Sequence, residues 1–67
     1  MGKTLAERIQ YAMDKRGMTQ ADLARATGIG TSNIAHIVTG KTKDPRVSNV
    51  LKIARALGVS LDFLAGR

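Results

Sequence analysis

Apolar residues recur along the chain with a period near 3.6, and glycines break the pattern at intervals. Leu5, Ile9, Ala12 and Met13 fall at helical spacing, and Gly17 stops the run. Thr4 three residues before Glu7 has the form of a capping box, in which hydroxyl and carboxylate each take an orphan amide. Thr19 and Asp22 make a weaker version of that box ahead of Leu23 and Ala24, and Gly28 ends the segment. Gly30 or Thr31 opens a third segment, where Ile34, Ile37 and Val38 form a stripe that Gly40 closes. Asp44 as cap and Pro45 at the first helical position, where a missing N–H costs nothing, predict a fourth helix. Its inner face is expected to hold Val47, Val50, Leu51, Ala54 and Leu57, with Gly58 as the stop. Ser60 caps a last short segment carrying Leu61, Phe63 and Leu64, and Gly66 ends it. The pattern predicts helices at about residues 4–16, 20–27, 31–38, 45–57 and 61–65. No stretch alternates with period two, so the fold class is all-α, in one domain over residues 1–67.

Composition narrows the function. At 67 residues the chain buries roughly 60% of the surface its unfolded form exposes, so its stability margin is thin. It has no cysteine, hence no disulfide and no cysteine zinc site to brace the core. Eleven Lys and Arg oppose five Asp and Glu, a net charge of +6 that favours a polyanionic partner. No apolar run reaches the ~18 residues of a membrane span, and charge recurs too often near the start for a signal peptide. Ala6 stands where a myristoylation signal needs Ser or Thr. A soluble, cytoplasmic protein is expected, with no membrane partner, no cofactor and no small-molecule ligand.

The second and third segments together read as a helix, a tight glycine turn and a helix, a device for laying a helix in the DNA major groove. With Ile34 at the origin of a helical wheel, Ile37 and Val38 flank it, while Ser32, His36 and Thr39 fall opposite. Thr31 lies at the helix start and Ala35 between the faces. Thr31, Ser32, Ala35 and His36 are therefore the candidates to face base edges. Their short side chains discriminate less sharply than Arg on guanine or Gln on adenine. Asn33 lies at the side of the helix, where base, phosphate or solvent are all open to it. Thr39, Lys41, Lys43 and Arg46 follow, and the amides and cations of this loop are expected along the phosphate backbone, setting register and affinity. Arg46 has a second option, a narrow minor groove whose potential it would sense. Thr19 is a helix cap that can add a phosphate contact. Lys15, Arg16, Arg25, Lys52 and Arg55 are expected on solvated faces. Ser32 and His36, four apart, have the spacing of a nucleophile–base pair. Nothing else supports catalysis: no acid orients the imidazole and no oxyanion hole is suggested, so no enzyme is expected.

Three motifs then occur in order: Met18-Thr19-Gln20-Ala21-Asp22-Leu23-Ala24, Gly40-Lys41-Thr42-Lys43-Asp44-Pro45-Arg46, and Ala56-Leu57-Gly58-Val59-Ser60-Leu61-Asp62-Phe63-Leu64. With them the chain resembles the phage repressor and Cro-like (lambda-repressor-like, Xre-type) helix-turn-helix family, from about Thr4 to Gly66. The resemblance implies a compact five-helix domain that binds palindromic operator DNA as a two-fold dimer and controls transcription, most often as a repressor. It implies base reading by Thr31, Ser32 and His36, and a phosphate contact from Gln20 at a helix N-terminus, where amides and dipole favour an anion. It also brings Lys3 close to the backbone. A homodimer interface is expected from the segment Asp44–Val47 and the last helix, through Pro45, Val47, Leu61 and Phe63. Many relatives carry arginine at the position of Met13 and glutamate at that of Val38, forming a buried ion pair. Here both are apolar, a double change that leaves no stranded charge, so Met13 is expected to touch Val38. The alternative is a protein-binding module on the same fold, such as an antitoxin or anti-activator. Whole regulator and amino-terminal piece of a longer one both remain open.

Overall fold

The computed structural model describes residues 4–66, so Met1, Gly2, Lys3 and Arg67, including the expectation for Lys3, lie outside it. Five helices follow in order: α1 (Leu5–Arg16), α2 (Gln20–Thr27), α3 (Thr31–Val38), α4 (Val47–Leu57) and α5 (Leu61–Ala65). Each of the predicted side-chain caps at α1, α2 and α5 forms. Thr4 Oγ1 accepts from the Glu7 amide at 3.1 Å, Thr19 Oγ1 from Asp22 at 3.1 Å, and Ser60 Oγ from Phe63 at 2.9 Å. Both boxes are complete, because the Glu7 and Asp22 carboxylates accept in turn from the Thr4 and Thr19 amides.

One buried cluster joins the helices. Ile9, Met13, Leu23, Ile34, Ile53, Leu57 and Leu64 form its centre, and no charged or polar residue is buried among the described residues. α2 packs against both α3 and α4, and α1 lies across α3, α4 and α5. Met13 and Val38 are both buried and line the same cleft between α1 and α3. No helix among the described residues is long and apolar enough to cross a membrane.

The start of α4 differs from the sequence reading. Asp44 makes no cap and Pro45 is not the first helical residue; the cap is Arg46, and the helix begins at Val47. The residue before a proline is biased away from helical backbone, and Asp44 lies in a bend ahead of the helix. Arg46 is extended too (φ −60°, ψ 142°), and its carbonyl accepts the first helical bonds from Asn49 and Val50 at 3.0 Å. The inner face shifts accordingly. Val47 is 72% exposed, whereas Ile53, absent from the expected stripe, is fully buried. Val50, Ile53, Ala54 and Leu57 make the i, i+3, i+4, i+7 row, and Val47 lies one turn before it, beyond the edge of the core.

Candidate nucleic-acid interface

The turn between α2 and α3 is fixed by one hydroxyl and one apolar side chain. Thr27 Oγ1 donates to the Leu23 carbonyl at 2.8 Å and accepts from the Ile29 amide at 3.2 Å. Gly28 between them turns the backbone left-handed (φ 74°), a conformation that a Cβ would strain. Ile29 is buried, so the turn is pinned to the core and cannot swing α3 away. Sequence reasoning missed both Thr27 and Ile29. Ile29 sits between two glycines, outside any periodic run, which hid it.

α3 buries the expected apolar stripe, while His36, expected opposite it, is half-buried. Ile34, Ile37 and Val38 are buried; Thr31, Ser32 and Asn33 are exposed, and Ala35 and His36 are half-buried at the margin. Its first turn has neither a side-chain cap nor an acidic residue, and the Ile34 amide bonds to the Gly30 carbonyl at 3.0 Å. The amides of Thr31, Ser32 and Asn33 are thus the orphan donors of that end. Its last four carbonyls are all occupied. Ala35 O accepts from the Thr39 amide (3.0 Å) and hydroxyl (2.7 Å), His36 O from Thr42 (3.0 Å), Ile37 O from Gly40 (3.2 Å), and Val38 O from the Gln10 side-chain amide.

That arrangement corrects the expectation for the following loop. The amides of Thr39, Gly40 and Thr42 close α3 and do not face outward as phosphate donors, and the Thr39 hydroxyl spends its proton on Ala35. The cationic side chains of Lys41, Lys43 and Arg46 are all exposed. Asn33 falls beside Arg46, with Thr42 and Asn49, around a cleft of about 190 Å³ between α3 and the start of α4. Asn49 carries no sequence signal beyond its polarity.

Gln20 is exposed at the first position of α2. The capping box takes the Asp22 amide, and the Leu23 amide bonds to the Thr19 carbonyl, which leaves the Gln20 and Ala21 amides for an outside acceptor. The backbone amide of Thr19, then its hydroxyl, hold the Asp22 carboxyl below the usual carboxylate range, and Arg25, paired with it, acts in the same direction. A group whose folded pKa is depressed stabilises fully above its unfolded value, about 3.9, and loses that contribution as pH falls through the lower folded value. Thermal melts from pH 5 down to pH 2 should therefore decline less steeply in Asp22→Asn than in the parent chain. Equal slopes would remove Asp22 from the acid response.

Some charged residues expected on solvated faces have neighbours. Besides the Arg25–Asp22 pair, the Lys15 ammonium lies 5.6 Å from the Tyr11 ring centroid, and the Arg16 guanidinium covers Gly58 at the end of α4. Of the residues assigned to a dimer interface, Pro45, Val47 and Leu61 gather around one surface cleft of about 400 Å³ with Leu5 and Val50. Phe63 does not join them. It is half-buried on another side, its ring 6.3 Å from that of Tyr11.

Residues 9–64 match the family model described as helix-turn-helix. The chain is 41% identical over 63 residues to the HTH-type transcriptional regulator for conjugative element SXT of Vibrio cholerae, and equally to that for conjugative element pMERPH of Shewanella putrefaciens. Each alignment covers 94% of this chain and 28% of the regulator. It is 31% identical over 64 residues to the HTH-type transcriptional regulator ImmR of Bacillus subtilis, covering 96% of this chain and 50% of that protein. The chain thus spans half or less of the length of these curated relatives. No solved structure is a significant match.

Proposed function

Because the chain belongs to the helix-turn-helix family, we propose that it is the DNA-binding part of a sequence-specific transcriptional regulator, a repressor of the phage or mobile-element type. The observation that carries this reading is α3: its apolar stripe is buried while Thr31 and Ser32 are exposed and Ala35 and His36 lie half-buried at the margin. A helix so held fits the major groove, and these four side chains are the ones that meet base edges. Lys41, Lys43 and Arg46 neutralise phosphates beside the same half-site, and Arg46, next to Asn33, is also placed to enter a minor groove. Gln20, with Thr19, adds a phosphate contact at the start of α2. The exposed apolar edge of Pro45, Val47 and Leu61 supports a two-fold dimer on a palindromic operator. The names of the relatives, regulators of conjugative elements among them, agree with this reading.

Sequencing the DNA retained from a random duplex pool tests the proposal. The expected product is a palindrome with half-sites about one helical turn, near 34 Å, apart. An unenriched pool overturns it. On the selected site, His36→Ala should lower discrimination at particular base pairs by about 1–3 kcal/mol, whereas Lys43→Ala should weaken binding to all sequences alike and flatten the salt slope by about one. Identical behaviour of the two variants on every sequence would abolish the division between readers and anchors.

A further inference from the structure

The seam between α1 and α3 is apolar where Met13 and Val38 line it. Side-chain packing sets the seat of one helix on the other, and a hydrogen bond across the seam adds a directional constraint to it. α3 is eight residues long, about two turns, and has little length with which to resist an axial slip. A polar tie crosses the seam. The Gln10 side-chain amide donates to the Val38 carbonyl, 28 residues away.

That carbonyl belongs to the C-terminal group that a helix cannot satisfy for itself. The other three in α3 are met by Thr39, Gly40 and Thr42, all on the loop that continues α3 and travels with it. Gln10 differs from these because it stands on α1, which packs across the body of the domain. Val38 is buried and its bond to Gln10 is partly buried, so losing the tie costs a hydrogen bond at the end of α3.

We propose that Gln10 is a positioning residue: its amide sets the axial seat of α3, and with it the depth at which Thr31, Ser32 and His36 meet the bases. The second half of this statement rests on the DNA reading proposed above; the first half does not. Two measurements on the 67-residue chain separate them. One is hydrogen exchange of individual amides by NMR. The other is the ratio of affinities for the selected operator and for random duplex. Gln10→Met keeps length and loses the donor; Gln10→Glu keeps shape and offers only acceptors; Gln10→Lys restores a donor. In the Met and Glu variants, α3 amides should exchange about tenfold faster relative to those of α1 and α4, the scale of one hydrogen bond. The affinity ratio should fall by a similar factor while the salt slope with random duplex stays unchanged for Met. Lysine should recover both the protection and the ratio. Exchange that rises equally in every helix, or a Met variant that keeps α3 protected, overturns the seat. Selective loss of α3 protection in a chain that prefers no DNA sequence would uphold the seat and sink the DNA reading.

Discussion

Val38→Glu is expected to destabilise the domain severely at neutral pH. Val38 is 3% exposed and shares its cleft with the equally buried Met13. A carboxylate there has no cation to pair with, and an uncompensated buried charge of this kind costs about 3–5 kcal/mol. Globular proteins hold roughly 0.05–0.15 kcal/mol per residue, which gives this chain about 3–10 kcal/mol in total. One substitution therefore removes a large part of the margin. Thermal melts followed by far-ultraviolet circular dichroism should show a large fall in melting temperature, with partial recovery at acidic pH as the carboxyl neutralises. Adding Met13→Arg in the same chain should restore much of the loss, and the cycle of two single variants and the double variant should give a favourable coupling. A Val38→Glu protein that melts within a few degrees of the parent would mean that position 38 reaches solvent.

The second large effect concerns binding. Replacing Lys41, Lys43 and Arg46 together with alanine should reduce the slope of log K against log salt by roughly 2.7, at about 0.9 per neutralised phosphate on duplex DNA. All three side chains are exposed, and the amides of Thr39, Gly40 and Thr42 already serve α3, so the cations carry the larger share of this loop's phosphate contacts. Operator and random duplex should weaken by similar factors, and thermal stability should hold, because none of the three packs in the core. A slope that stays where it was would move the backbone contacts to Gln20 and the helix starts.

Most of the architecture could be read before any coordinates because its signals are local. Thr4, Thr19 and Ser60 act on amides three residues away, so their caps are visible in a short window of sequence. The faces of α3 follow from its 3.6-residue period alone. The start of α4 did not follow, since Asp44-Pro45 satisfies a local rule that Arg46, in extended backbone, overrides. Val47 looked internal for the same reason, and Ile53 was passed over although it completes the buried row. Long-range ties were invisible: nothing near Gln10 in the sequence marks its bond to Val38. At the interface, residue types and their side of the helix were legible. What was not legible was which loop amides are already spoken for, a matter of how the chain folds back on the end of α3.

α3 is closed at its C-terminal end and held along Ile34, Ile37 and Val38, while Thr31, Ser32 and Asn33 in its first turn are exposed and carry none of these fastenings. Exchanging Thr31, Ser32 or Asn33 for other side chains leaves every bolt in place. On the proposed reading, Thr31 and Ser32, two of the four base-facing positions, can therefore change with little cost to the scaffold.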